Sequence, residues 1–460
     1  MPPIQRFRAR WVVPIARDPI EDGEVIVEGD RIADVRSRAA STTTGGELRD
    51  FGEAAIIPGL VNAHTHLDYT LTRGLLDDLP FFPWVRSLAA ISSRIEARDW
   101  ETSALLGAAE AAAVGVTTVA DCSPSGASAR ALVATGLRGV AYQEVFGIAD
   151  GPCVEDVIGD LARRVDRLQA IVAGGRVRLG VSPHALYTIR PALLEAVCSW
   201  ARERGLPLCI HAAESHAETE LAASGSGPFA AMLARRGIAW RVPACSPVEH
   251  LARHGALGGA TLLVHGVQIG ADDAARVLSS GAAWAHCPTS NAKLGNGVAD
   301  LSLLRGPGGE VAVGLGSDSV ASNNTMDLLE EMRFAVLAQR AARRDACALT
   351  AKEVLHMATL GGARALGMAD EIGSLEPGKQ ADLAVIRLDR AYASPVYDPC
   401  SALVYTASGR DVAMALVAGE PVAERGRVLR LGRAGLRRRV REAAARVREA
   451  ARAACLAGIG

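Results

Sequence analysis

The chain runs to 460 residues, 49% of them hydrophobic, and carries a formal net charge of −1 at pH 7. That is enough chain for more than one ordinary domain, and the balanced charge excludes a whole-molecule field drawing the protein to nucleic acid or an anionic membrane. The cysteines, scattered from Cys122 to Cys455, include no C-x-x-C pair, which argues against a disulfide framework or a cysteine-built zinc site.

The N-terminal stretch MPPIQRFRARWVVPIARDPIEDG has no apolar segment of signal-peptide length, and no run of about 18 apolar residues follows. The expectation is a cytoplasmic protein with reduced thiols and neither a membrane nor a nucleic-acid partner. Alternating residues over Glu24–Glu28 and Arg31–Val35, joined by Gly29-Asp30, predict an exposed antiparallel hairpin. Ser41–Gly46 reads as a loop. From about residue 56 to 369 the rhythm changes. Eight short apolar runs cover Ile56–Ala63, Val116–Asp121, Gly139–Val145, Val177–Ser182, Leu206–His211, Leu262–His265, Ala282–His286 and Val311–Gly316. Between them lie alanine- and arginine-rich stretches such as Leu105–Ala113, Val157–Ile171 and Met326–Arg343. Strand–helix alternation repeated in this way predicts an α/β fold, a parallel (β/α)8 TIM barrel. The two-residue alternation returns in Ala381–Ile386 and Val412–Val417. Arg433–Ala454 then predicts a helix with an arginine-rich face, a solvated helix packed on its own protein in preference to a nucleic-acid role.

The strongest chemical signal lies in the first run, Pro58-Gly-Leu-Val-Asn-Ala-His64-Thr-His66. Residues i and i+2 of a strand share a face, so both imidazoles project into the barrel mouth. His211 ends the fifth run in Leu-Cys-Ile-His, and Asp318 ends the eighth in Leu-Gly-Ser-Asp. Active sites of such barrels gather at the carboxyl ends of the strands. His64, His66, His211 and Asp318 therefore arrive together as candidate ligands of a divalent ion, although Asp318 alone would also read as a helix cap. Three imidazoles and a carboxylate suit zinc, with iron or manganese as alternatives. His250 and His254 are spaced i, i+4 but enclose no H-E-x-x-H motif, which leaves them on a surface helix.

These motifs resemble the amidohydrolase superfamily, in the branch that holds S-adenosylhomocysteine and 5'-methylthioadenosine deaminases, aminodeoxyfutalosine deaminases and triazine chlorohydrolases. The resemblance spans nearly the whole chain. It implies that residues 1–57 and 370–432 build a small composite β-sandwich, that 58–369 form the barrel, and that 433–460 carry a C-terminal helix. It also implies one ion on His64, His66, His211 and Asp318. Binuclear relatives bridge two ions with a fourth-strand lysine, and here that run ends Val181-Ser182-Pro183-His184.

Glu214, in His211-Ala-Ala-Glu-Ser, resembles the family's proton-shuttling glutamate, with an acid at a helix N-terminus as the plainer alternative. His265, in Leu-Leu-Val-His-Gly, resembles the histidine that orients the attacking water. His184 resembles a substrate-touching residue, and His286 sits in a seventh-strand motif where a structural role serves equally well. Trp84, in Leu79-Pro-Phe-Phe-Pro-Trp84, would stack on a heterocycle or simply pack. The nucleoside deaminases carry a ribose-holding glutamate two positions before that tryptophan, where this chain has Phe82. The implied activity is metal-dependent hydrolytic deamination of a small amino-substituted heterocycle, above all an adenosine derivative, by a homodimer or higher homo-oligomer. Chlorohydrolases and cyclic-amide hydrolases use the same site on another bond. Scaffold members have lost the ligands, all of which stand here.

Overall fold

At Gly59 the chain leaves one sheet and enters another. The run expected as a single strand over Ile56–Ala63 divides there. Ala54–Pro58 pairs with Leu383–Arg387 in a mixed terminal sheet, while Leu60–Thr65 begins a parallel one. A Cβ on Gly59 would stand 2.0 Å from Thr117 Oγ1, so the crossing admits no side chain. In this computed structural model the described residues are 3–40, 45–149, 151–306 and 309–456. Positions 41–44 of the expected Ser41–Gly46 loop, and 457–460 of the terminal segment, lie outside them.

Strands one to eight of the parallel sheet are, in order, Leu60–Thr65, Val116–Ser123, Arg138–Val145, Val177–Pro183, Leu208–Ala212, Thr261–His265, Ala283–His286 and Val313–Leu315. Each pairs with the next. Strand eight closes on strand one through a Thr65–Asp318 bridge, where the Asp318 amide donates to the His64 carbonyl at 2.9 Å. Strands one, two and three are buried at every position, as a parallel sheet covered on both faces requires. The helices Ala97–Ala113, Val154–Val172 and Leu328–Arg343 occupy the stretches expected from sequence. The last starts at Asp327, whose carboxylate accepts from the Leu329 amide at 3.0 Å. Glu330 and Glu331 in its first turn, and Arg340 and Arg343 in its last, match the helix dipole.

The terminal sheet joins N-terminal strands Ile4–Val12, Ile20–Glu28, Arg31–Ser37, Glu47–Asp50 and Ala54–Pro58 to C-terminal strands Leu383–Arg387, Val412–Val417, Glu420–Glu424 and Arg427–Val428. Phe7, Val25, Val27 and Ile32 share one core with Leu383, Val385, Met414 and Leu416. The hairpin expected to be exposed is therefore corrected. Its alternation is real, but Val25, Val27, Ile32 and Val35 face inward. Arg138, at the start of strand three, fastens the barrel to this sheet, with Nε 2.7 Å from Asp382 Oδ2.

The helix Arg433–Leu456 packs on the helices Phe81–Ser92 and Ala97–Ala113 through Ala443, Val447, Ala450 and Ala454. Arg446 forks onto buried Asp99, with Nη2 2.6 Å from Oδ1 and Nε 2.9 Å from Oδ2. The helix thus packs on its own protein, with Arg439 and Arg446 turned onto the helix Ala97–Ala113. Among the described residues no helix is long and apolar enough to cross a membrane, and every cysteine whose side chain is described is free.

Candidate active site

The carboxyl ends of strands one, five, six and eight bring His64, His66, His211, His265 and Asp318 into one cluster. His66 Nε2 lies 3.2 Å from His211 Nε2, and Asp318 Oδ1 lies 3.4 Å from His64 Nε2 and 3.6 Å from His66 Nε2. Strand eight approaches this closely because Gly316 has no side chain; a Cβ there would sit 3.0 Å from the Cβ of His64. Asp318 and His265 both adopt left-handed backbone, with φ of 57° and 75°. Such strain in non-glycine residues persists where the surroundings over-determine it, and it concentrates at functional sites. Asp318 caps no helix: the next begins at Leu328 with its own cap.

Hydrogen bonds behind the ring nitrogens fix their protonation. His66 Nδ1 donates to the Cys122 carbonyl at 2.9 Å, and His211 Nδ1 donates to the His184 carbonyl at 3.0 Å. Each proton sits on Nδ1, so each Nε2 is a lone pair, and the two lone pairs face one another at 3.2 Å. Two bare acceptors repel at that distance. A cation between them converts the repulsion into two bonds, since nitrogens about 2.0–2.1 Å from one zinc at a near-tetrahedral angle stand about 3.3 Å apart. His64 Nε2, fully buried, has no hydrogen-bond partner among the described residues and stands 3.4 Å from Asp318 Oδ1. Ser290 and Ser322 hydroxyls donate to Asp318 Oδ2 at 2.5 and 2.9 Å and orient the carboxylate. The donor set fits a divalent ion.

The titration behaviour agrees. Burial, reinforced by charge on His64, holds His66 and His184 down to about 3; burial also takes His265 to about 4 and His211 well below its ordinary value. Burial opposes a proton on His64 as well, yet Asp318 and Cys209 outweigh it and raise that ring to about 10. Asp318 is pulled below the carboxylate range against its own burial, chiefly by His64. Without an ion, His64 and Asp318 thus pair as imidazolium and carboxylate, the charge arrangement of the cluster in the protein alone.

A cavity of about 360 Å³ opens over the cluster, in the range of small-molecule sites. Tyr69, Phe81, Trp84, Leu88, Phe146 and Tyr187 form its apolar wall, and Glu214, His184 and His265 are its convergent polar groups. Glu214 is raised well above its ordinary value by burial and then by Asp318, and its Oε2 lies 3.7 Å from His265 Nε2. It precedes the helix His216–Ser224, which Ser215 caps, so it does no helix-capping work. His265 Nδ1 donates to Asn291 Oδ1 at 2.9 Å, which turns Nε2 toward Glu214. His184 Nδ1 bonds Thr188 Oγ1 at 2.9 Å. Trp84 is buried, with Nε1 3.3 Å from the Ala321 carbonyl. Phe82 is absent from this wall; it meets Phe229 edge-on in an outer groove that continues the cavity past Phe146 and Tyr187.

The expected surface pair is only half correct: His250 is buried and meets His254 ring to ring at 4.5 Å, and neither lines the cavity over the cluster. His286 is buried on strand seven, does not line the cavity, and neither ring nitrogen has a partner among the described residues. The sequence reading missed Glu144, the penultimate residue of strand three, which lines the cavity. Its place near a strand's carboxyl end was the available signal.

A barrel carrying three imidazoles, a carboxylate and a glutamate–histidine pair at the carboxyl ends of its strands has the layout of a metal-dependent hydrolase. The chain belongs to the amidohydrolase family, which matches residues 55–422. A 5-methylthioadenosine/S-adenosylhomocysteine deaminase of Symbiobacterium thermophilum is 35% identical over 94% of this chain and 95% of that protein. A protein of the same description from Nitratidesulfovibrio vulgaris is 35% identical over 93% of each. Among solved structures, an adenosine deaminase from Xanthomonas campestris with bound zinc superposes with a TM-score of 0.85 at 29% identity, covering 97% of this chain and 99% of that one. An atrazine chlorohydrolase from Arthrobacter aurescens in complex with zinc shares the fold, with a TM-score of 0.81 at 24% identity over 96% of this chain and all of that one.

Proposed function

We propose that this chain is a hydrolytic deaminase of amino-substituted heterocycles, acting on adenosine derivatives and releasing ammonia, with one divalent ion, zinc, on His64, His66, His211 and Asp318. The observation that carries the metal assignment is the pair of facing lone pairs on His66 and His211. Full-length similarity to deaminases of adenosine derivatives supports the reaction class. The free cysteines fit a cytoplasmic location.

When bound, a divalent ion supplies acidity to water, lowering its pKa from 15.7 to about 7. The protein's side chains do the rest. Glu214, buried and 3.7 Å from His265, takes one proton of the attacking water and delivers it to the ring nitrogen, then takes the second from the hydroxyl newly bonded to carbon and delivers it to the departing amine. His265, its Nδ1 committed to Asn291, directs Nε2 at the attacking oxygen and holds it over the amine-bearing carbon. Trp84 and Phe81 confine the heterocycle, and burial of the whole cluster excludes bulk water. His184 offers a ring nitrogen to the substrate.

The test is product analysis with zinc-loaded protein given 5'-methylthioadenosine, S-adenosylhomocysteine and adenosine. Ammonia release is expected. Chloride from a chlorotriazine, or ring opening of a cyclic amide, without ammonia from any purine would replace this reading.

A further inference from the structure

We propose that Glu144 is a substrate-contacting residue that accepts a hydrogen bond from a hydroxyl group on the substituent of the heterocycle. Glu144 is the penultimate residue of strand three and is 2% exposed, yet it lines the cavity, and its buried Oε1 has no partner among the described residues. Burying a carboxyl oxygen without a partner is costly, more so when it is charged, so such a group persists where something else completes it. Among the described residues no cationic side chain pairs with it. Arg164, on the helix that follows, reaches the Glu144 backbone carbonyl at 3.3 Å and pairs with Asp160, not with the carboxyl.

Position selects the ligand chemistry. A carboxyl oxygen of Glu144 lies within 4.8 Å of ring nitrogens of His184 and His211, on the side of the cavity built by strands three and four. Glu214 and His265, which handle the amine and the attacking water, come from strands five and six. In the proposed pose the amine faces Glu214, the ring face lies on Trp84, and the substituent leaves past His184, where Glu144 lines the cavity. Burial, and then the neighbouring Asp68 and Asp121, hold the Glu144 carboxyl well above its ordinary range, against the opposing pull of His64. A neutral hydroxyl donates to the carboxyl in either protonation state.

This inference rests on the deaminase reading for the orientation of the ring, and the experiment separates the two. Binding of adenosine, 2'-deoxyadenosine, 3'-deoxyadenosine and adenine is measured by calorimetry on zinc-loaded protein held from turnover by Glu214→Gln. The measurement is repeated with Glu144→Leu and Glu144→Gln added, while ammonia release is followed in otherwise wild-type protein. The expected result is that Glu144→Leu weakens adenosine binding by about tenfold or more. It leaves adenine unchanged, and it makes no difference to the deoxynucleoside that lacks the contacted hydroxyl. Glu144→Gln, which keeps an acceptor oxygen, retains most of the affinity. Glu144→Leu relieves an unpartnered buried carboxyl, so a melting temperature equal to or above that of the parent protein is expected to accompany these changes. Equal losses for adenine and adenosine, no loss for either, or no nucleoside binding at all would overturn the assignment. Hydroxyl-dependent binding without ammonia release would retain it and remove the deaminase reading instead.

Discussion

Asp318 and His64 are joined twice: the Asp318 amide donates to the His64 carbonyl at 2.9 Å, and Asp318 Oδ1 stands 3.4 Å from His64 Nε2. The backbone bond is also the one that closes strand eight on strand one, so the act of closing the barrel sets the spacing of two proposed ligands. Preorganisation of this kind predicts graded losses. Ser290→Ala removes the 2.5 Å hydrogen bond to Asp318 Oδ2 and leaves the ligand in place, and it is expected to weaken zinc binding about 10–100-fold. Asp318→Asn, which discards the charge, is expected to weaken it more. Competition against a chromophoric chelator measures both; equal zinc affinity in all three proteins would remove Asp318 from the coordination shell.

Glu214 differs from those residues because it needs no ion to keep its place: its amide is held by Glu218 Oε2 at 2.8 Å, while the carboxyl looks into the cavity. Glu214→Gln is therefore expected to keep a full complement of zinc and lose about 10²–10⁴-fold in kcat/KM for ammonia release. Zinc content by mass spectrometry and turnover on the same sample decide it. A variant that retained wild-type turnover would need another proton carrier.

The four proposed ligands were legible because each ends an apolar run, and the barrel rule sends all such ends to one face. His211 and Asp318 are far from His64 in sequence, yet only strand order was needed to join them. Glu144 escaped because one more acid at the end of a buried strand has no spacing partner; only the cavity shows that its carboxyl lacks a companion. The break at Gly59 was equally hidden. Ile56 to Ala63 is uniformly apolar in sequence, since both the terminal sheet and the barrel bury that stretch completely, and periodicity cannot separate two buried strands in tandem. His250 shows the opposite error: polar identity suggested a surface, whereas the helix turns that ring inward.

Asp327 gives the chain a pH dependence away from the metal site. Burial raises its carboxyl to about 6, against the pull of the Gly409 and Leu329 amides at 2.6 and 3.0 Å. The folded pKa lies above the unfolded value of about 3.9, so the folded state holds the proton more tightly. The contribution of this group is complete below about pH 4 and is lost as pH rises to about 6, a difference on the order of 3 kcal/mol at most. Asp327→Asn cannot ionise but keeps a capping oxygen. Urea midpoints taken from pH 4 to pH 7 are expected to fall more steeply for the wild type than for this variant. Parallel curves would mean that the cap is ionised throughout.

Two arginines of the terminal helix reach the helix Ala97–Ala113: Arg439 donates to Thr102 Oγ1 at 3.2 Å, and Arg446 binds Asp99. Arg446 forks onto Asp99, a carboxylate that is 1% exposed, and the same helix packs against Phe81–Ser92, the segment that carries Trp84 into the cavity. Removing the fork strands a buried charge on one helix and loosens the brace on the other. Arg446→Ala is expected to lower the melting temperature and to raise KM severalfold while kcat and zinc content hold, because the wall that confines the ring moves but the proton-handling groups do not. Arg446→Lys is expected to recover only part of the loss, since an ammonium cannot make the two-pronged contact. Arg448→Ala, an exposed neighbour on the same helix, serves as the control for lost surface charge. If the two alanine variants shift melting and KM alike, the effect is one of general charge, and the helix does not position Trp84.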